Sequence, residues 1–311
     1  HGLSRRLVWA RIRSRCVDPV TQHTKRTSMH PISRPVALCA LLTLTACASQ
    51  PTAVSGAASL GLAAVGIQTE PESCAAQLVG SRRSQHVELD SSDIQIVNWN
   101  IHGGSDPEWI ADLATITAES DLMIFQEASL NTVDWGMVAA DQYRSFAPGY
   151  RTRRSVTGVM TISAAEPLTQ CNLVSMEPWL RTPKATMITE YGLTGTDQTL
   201  LVVNTHAVNF TFGVRDFREQ IQQMHSVMSV HSGPILLSGD FNTWRGRRSE
   251  ILHEVAESLG LAMLDYDEDN RKRAFGQTLD HIYVRGLQVI DATTRRVGSS
   301  DHNPMLVRLR L

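Results

Sequence analysis

Apolar runs in the C-terminal two thirds of the chain repeatedly end in carboxylates, amides and histidines. They are Asn98-Trp99-Asn100, Gln126-Glu127, Asn204-Thr205-His206 and Gly239-Asp240-Phe241-Asn242, with Asp280-His281 and Ser300-Asp301-His302 at further strand edges. A rigid sheet fixes where the loops at its strand ends point, so such ends commonly present reactive groups. One fragment of this kind is usually a turn or a surface hydrogen bond; six in order along one domain indicate a site. Carboxylate and amide oxygens suit a hard divalent cation such as Mg²⁺, which keeps several waters and needs few protein ligands. A histidine held by an aspartate has a fixed tautomer and a stabilised positive form, suited to developing negative charge. Together these groups fit hydrolysis of an anionic ester, which resists an anionic nucleophile unless a cation lies near its oxygens. The chain has no His-Glu-x-x-His or Cys-x-x-Cys zinc spacing and no Walker-type Gly-Lys-Ser/Thr loop.

The elements that must carry these residues read as short strands mixed with helices. Strands are expected over Ile94–Trp99, Leu122–Phe125, Val159–Ile162, Ala185–Tyr191, Leu200–Val203, Ile235–Leu237, Leu279–Val284, Leu287–Ala292 and Met305–Leu309. Asp106 as N-cap and Pro107 at the first position predict a helix through Ala118. A second helix is expected over about Val214–Val230, where Phe217, Ile221, Met224 and Met228 share a face. A third spans Arg248–Leu259 and is closed by Gly260. With no internal repeat and no Pro- or Gly-rich linker, residues 93–311 read as one domain of class α/β or α+β.

The order of these fragments resembles the endonuclease/exonuclease/phosphatase superfamily, which includes deoxyribonuclease I, abasic endonucleases, neutral sphingomyelinases and inositol polyphosphate phosphatases. The runs GVMTISAAEP, EPWLRTPKA, VVNTHAVNF, HSGPILLSGDFNTW, RKRAFG and SDHNPMLV look closest to its YafD-like branch. The resemblance covers about residues 93–311. It implies a four-layer α/β/β/α sandwich of two packed, mainly antiparallel sheets with the active site at one end. Carried over by position, Asn100 and Glu127 would hold the catalytic metal, Mg²⁺ with Mn²⁺ as an alternative, and Asp301 would assist directly or through water. Asp240 would orient or deprotonate the attacking water. Asn242 and His302 would contact the phosphate, and Asp280 would orient His302. His206 would help the leaving group or bind phosphate. Asn209 is a further phosphate-binding candidate, with a loop-capping amide as the alternative. His281 reads as a structural strand residue, His102 as a cleft residue or a turn cap, and His225 and His231 as surface residues.

The resemblance implies a metal-dependent phosphodiesterase, with nucleic acid favoured as substrate and a monomeric enzyme expected. The alternatives are a sphingomyelinase-like or inositol-phosphate-phosphatase-like hydrolase of lipids or small molecules, and a non-catalytic binding lipoprotein.

Composition at first opposes a phosphate-handling protein. The 311 residues hold 29 Lys+Arg against 31 Asp+Glu, a net charge of −2. Residues 1–47 contain eight basic side chains and one acid, which leaves −9 for residues 48–311. That acidity disfavours tight non-specific duplex binding, where phosphate neutralisation dominates. Residues 1–28 precede Met29 and read as an upstream extension. Residues 29–46 read as a signal peptide: Arg34 is the basic flank, and Val36–Ala46 is apolar but too short for a bilayer. The segment ends Leu44-Thr45-Ala46-Cys47, which resembles a bacterial lipobox with Cys47 as the lipidated residue. Residues 47–92 then read as a flexible tether. Ala48 after the cysteine implies an outer-membrane lipoprotein, anchored only by its lipid and facing the periplasm or exterior. An unused signal would leave the protein cytoplasmic. Five cysteines are too few for a disulfide scaffold, but an oxidising compartment would permit Cys74 and Cys171 to pair. Four basic groups are candidate anion-attracting patches: Arg151/Arg153/Arg154, Arg245/Arg247/Arg248, Arg271/Lys272/Arg273 and Arg181/Lys184.

Overall fold

A computed structural model describes residues 62–63, 68–80 and 87–311. The export segment and Cys47 lie outside the described residues.

Two twisted sheets pack face to face. The first contains β1 (Ile94–Asn100), β2 (Leu122–Ser129), β3 (Tyr143–Arg151), β4 (Val156–Ser163), β10 (Gln288–Thr294) and β11 (Met305–Arg310). Their order is β3-β4-β2-β1-β11-β10, with the two-residue strand Leu62–Ala63 beyond β3. The second contains β5 (Thr169–Met176), β6 (Pro183–Gly192), β7 (Thr199–His206), β8 (Ile235–Asp240) and β9 (Asp280–Arg285). Their order is β9-β8-β7-β6-β5, with Ala262–Met263 beyond β9. Most pairings are antiparallel; β1 with β2, β7 with β8 and Leu62–Ala63 with β3 are parallel.

Strand alternation divides the apolar residues among three interfaces. Ile94, Ile96, Leu122, Val202, Leu236 and Ile282 belong to the core between the sheets. Val97, Trp99 and Phe125 face the other way, against α2 (Trp109–Ile116) and the short helix α3 (Trp135–Val138). Outside the second sheet, Leu201, Val203 and Leu237 pack under α4 (Arg215–Met228) and α5 (Gly246–Ser258). This is the expected four-layer α/β/β/α sandwich. In α4 the face of Phe217, Ile221, Met224 and Met228 is fully covered, as its spacing requires.

Three local expectations need correction. First, α2 begins at Trp109 rather than at Asp106-Pro107. Asp106 closes a turn of its own, its Oδ1 accepting from the Glu108 amide at 2.8 Å. Second, the segment expected to be tether includes α1 (Pro71–Gly80). Cys74 and Leu78, one turn apart, are buried against the second sheet, and Cys74 is disulfide-bonded to Cys171 of β5. Third, β2 continues four residues past Phe125. A register shift between Phe125 and Ala128 makes room for Gln126 and Glu127 within the strand.

Candidate active site

The polar strand ends converge because the strands carrying them all finish, or begin, at one end of the sandwich. Asn100 closes β1, and Glu127 sits in the irregularity of its parallel neighbour β2, with φ of +53°. That left-handed conformation is costly for a side chain with a Cβ, and such strain concentrates at functional sites. His102 and Asn242, at +47° and +50°, share it. His206 closes β7 directly opposite Asp240, which closes β8, and Asp280 opens β9 opposite Asp240 again. Gly239 lets β7 and β8 come together, since a Cβ there would lie 2.0 Å from the Thr205 carbonyl oxygen. His302 precedes β11. Its carbonyl accepts from Trp99 Nε1 at 2.9 Å, and its amide donates to Ser300 Oγ at 3.2 Å.

Not every polar strand-end residue faces the cleft. Asn98, Gln126, Asn204 and Ser238 form a buried floor between the sheets. Gln126 Nε2 donates to Asn98 Oδ1 at 3.0 Å and to Asn204 Oδ1 at 2.8 Å, and Ser238 Oγ donates to Asn98 Oδ1 at 2.8 Å.

Above this floor, Asn100 Nδ2 donates to Asp240 Oδ2 at 3.0 Å and to Glu127 Oε1 at 3.3 Å. The Asn242 amide donates to Asp240 Oδ1 at 3.0 Å, so both oxygens of Asp240 are held. His302 Nδ1 lies 2.8 Å from Asp280 Oδ2, and its Nε2 points toward Asp240 Oδ2 at 3.9 Å. His206 Nε2 is 3.6 Å from the same Asp240 oxygen and 3.0 Å from Lys184 Nζ. On the outer side, His102 Nδ1 stands between Asp301 Oδ1 at 3.5 Å and Glu127 Oε2 at 3.8 Å. Asp301 also meets Lys272 at 3.2 Å.

The two inner histidines are driven apart electrostatically. Burial alone would strip the proton from His302, but the carboxylates of Asp280, Asp240 and Asp301 outweigh it and raise its pKa to about 10. Burial, with the positive charges of Lys184 and His302, pushes His206 well below the usual imidazole range. Burial likewise raises the Asp240 carboxyl; His302 opposes the rise and Asp280 adds to it. The cleft therefore holds one imidazolium and one neutral imidazole on either side of a shared carboxylate.

Oxygen donors fit a hard divalent cation. Glu127 and Asp240 converge on a single amide with Asp301 nearby, an excess of carboxylate that Mg²⁺ or Mn²⁺ would neutralise. Atoms of Asp240, Asp280 and His302 also lie within 4.8 Å of one another. There, however, the His302–Asp280 bond occupies Nδ1.

Asn209 takes the loop-capping place given as its alternative, not the phosphate-binding one: its Oδ1 accepts from Trp244 Nε1 at 2.9 Å and its backbone N–H donates to Glu177. Three further residues take other places than expected. Arg248 is not a surface cation: it is fully buried and donates to the carbonyls of Val208, Asn209 and Asn242. Arg271 is buried too, held by Asp269 and donating to the Asp280 carbonyl. His231 is buried rather than exposed, with Nε2 3.0 Å from the Thr199 carbonyl. His281 is the structural residue expected, 2.7 Å from Thr243 Oγ1. In the sequence, Lys184 belongs only to a loose basic pair with Arg181. Its place opening β6, beside the end of β7, is a sheet-register fact that sequence spacing does not show.

Comparison with known proteins agrees with this geometry. Residues 97–302 match the Endonuclease/Exonuclease/phosphatase family. The chain is 36% identical over 219 residues to UPF0294 protein YE0917 of Yersinia enterocolitica, covering 70% of this chain and 84% of that one. The fold is similar to that of the human Nocturnin catalytic domain, with TM-score 0.57 and 16% identity over 72% of this chain and 96% of that one. It is also similar to an endonuclease/exonuclease/phosphatase from Beutenbergia cavernae, with TM-score 0.54 and 18% identity over 71% and 72%. On the length of the match and the arrangement of its strand ends, the chain belongs to the endonuclease/exonuclease/phosphatase family.

Proposed function

We propose that the protein is a divalent-metal-dependent phosphodiesterase acting on nucleic acid. The observation that carries this reading is the His302 ring, held 2.8 Å from Asp280 and facing the doubly anchored carboxylate of Asp240. Asp240 Oδ2 orients the attacking water and takes its proton, and the raised basicity that burial gives this carboxylate suits the task. His302 presents Nε2 to the phosphate oxygens and stabilises charge that builds there. The backbone N–H of Asn242 holds Asp240 in place, and its side-chain Nδ2, which gives one hydrogen to the Ala207 carbonyl at 3.0 Å, offers the other to the phosphate. On the opposite side, Lys184 donates to the neutral His206, so the pair places a cation where the leaving oxygen departs. Glu127 and Asn100, with Asp301, would hold Mg²⁺ or Mn²⁺, which supplies Lewis-acid stabilisation of the phosphate oxygens.

A panel of plasmid DNA, RNA, sphingomyelin, inositol phosphates and bis-p-nitrophenyl phosphate, with Mg²⁺, Mn²⁺ and EDTA arms, tests the assignment. Metal-dependent cleavage is expected, and Glu127→Ala should reduce turnover by orders of magnitude with the fold retained. Inactivity toward every phosphoester with either metal would favour a binding lipoprotein instead.

We also propose, from the lipobox-like Leu44-Thr45-Ala46-Cys47, that the protein lies outside the cytoplasm, tethered by lipid at Cys47. The Cys74–Cys171 disulfide supports an oxidising compartment. Mass spectrometry of the mature N-terminus decides the point: unmodified Cys47 with residues 29–46 still attached refutes it.

A further inference from the structure

Beside the catalytic cleft, two loops at the same end of the sandwich expose large apolar side chains. One joins β5 to β6 and carries Trp179 and Leu180; the other follows β7 and carries Phe210 and Phe212. Trp179 is 61% exposed and Phe212 is 72% exposed, yet their rings meet with centroids 4.0 Å apart at 62°. The loops are not loose. The buried carboxylate of Glu177 accepts from the Asn209 amide at 2.7 Å and from the Phe210 amide at 3.4 Å. The Glu177 amide donates to the Thr182 carbonyl at 3.0 Å. A carboxylate is thus spent inside the protein to fix two aromatic rings at its surface, where the hydrophobic effect gives no reason to keep them.

We propose that Trp179 and Phe212 form a base-stacking platform, and that the substrate delivered to the neighbouring cleft is a single-stranded nucleic acid. This rests on the phosphodiesterase reading and names its substrate class. The order of groups along the first loop matches that of a nucleotide. Trp179, with Phe212 of the second loop against it, comes first, then the exposed Arg181, then Thr182, Pro183 and Lys184, which line a cavity of about 200 Å³ with Glu127 and His206. A base on the rings leaves its phosphate beside the cations at the cavity mouth. Every base offers a π-face, so such a platform tolerates any sequence, but only when the base is unpaired. The acidity of residues 48–311 agrees, since a duplex offers phosphates and no free base faces. Leu180 and Phe210 are exposed on the same loops, so a lipid surface is the rival occupant; Arg181 and Lys184, set between the rings and the cavity, favour the charged backbone of a nucleic-acid strand.

The full chain with Mg²⁺ is assayed on a 20-nucleotide single strand, its duplex and bis-p-nitrophenyl phosphate. In parallel, binding of the same strand in EDTA is read by tryptophan fluorescence and by anisotropy of a labelled oligonucleotide. In Trp179→Ala and Phe212→Ala, the ratio of KM for the single strand to KM for bis-p-nitrophenyl phosphate should rise about ten-fold. Affinity in EDTA should fall by a similar factor, and Trp179→Phe should restore most of both. Duplex should be the poorer substrate for the wild type. The platform is overturned if oligonucleotide affinity in EDTA ignores both substitutions, if duplex is preferred, or if phosphatidylcholine/phosphatidylglycerol vesicles bind through Trp179 and oligonucleotides do not. Failure to hydrolyse any of the three substrates with Mg²⁺ or Mn²⁺ sinks the catalytic reading instead, and the EDTA arm still decides the platform.

Discussion

Asp280 and His302 behave as one chemical unit. The imidazolium persists in a buried cleft chiefly because the Asp280 carboxylate sits 2.8 Å away, with Asp240 and Asp301 adding to it, and the ring in turn holds that carboxylate. Residues that act as a unit give strongly non-additive losses. Asp280→Asn and His302→Ala should each lower turnover about 10²-fold or more, and the double variant should be little worse than the poorer single one. Purified proteins with matching circular dichroism are compared; multiplicative losses would show that the two act independently. Most of the cleft was readable from residue types: Asn100, Glu127, His206, Asp240, Asn242, Asp280 and His302 come together. Asn209 does not, because the identity of an amide says nothing about which partner claims it, and here Trp244 does. The polar runs also mixed two jobs. Alternation along a strand sends Asn98 and Gln126 to the floor and Asn100 and Glu127 to the cleft, and in β2 an irregularity decides which is which.

Among the elements, central strands and the α4 face were legible because burial on both sides leaves long apolar runs. The strands that escaped sequence reading lie toward the rims. β5 is the outermost strand of its sheet, and β3 contains Pro148 and Gly149 beside a register shift. Rim strands carry polar residues and breakers, so their pattern blends into loop composition. Helix α1 was missed for a related reason: its ten residues present only a narrow apolar stripe, Cys74 and Leu78, and its attachment is covalent. The disulfide closes a span of 97 residues, a length for which chain entropy alone suggests about 4–5 kcal/mol. Reduction of the wild type, or Cys74→Ser with Cys171→Ser, should therefore lower the thermal midpoint by several degrees or more. Equal midpoints with and without reductant would show that α1 stays docked without the bond and contributes little.

For the whole molecule, pH couples to folding through histidines buried in opposite charge states. Burial first, then Arg271 and His253, lowers the pKa of His281 to about 3, and burial also lowers that of His231. For each, the unfolded chain, with an ordinary pKa near 6.5, binds a proton that the folded chain does not. Stability from these two is complete above about pH 6.5 and declines as pH falls, for His281 down to about 3. The slope is at most about 1.4 kcal/mol per pH unit for each group. His302 has the reverse sign: its folded pKa of about 10 lies above the unfolded value, so its contribution is complete below about pH 6.5 and is lost as pH rises toward 10. The two limbs meet, so the metal-free protein should be most stable to urea near pH 6.5. His281→Asn should make the acid limb shallower, with His231 and His206 still contributing, and leave the alkaline limb in place, whereas His302→Asn should flatten the alkaline limb alone. Urea midpoints measured from pH 4 to 10 in EDTA check both, and an acid limb that His281→Asn does not alter would mean that the Thr243–His281 pair does not stay neutral in the folded chain.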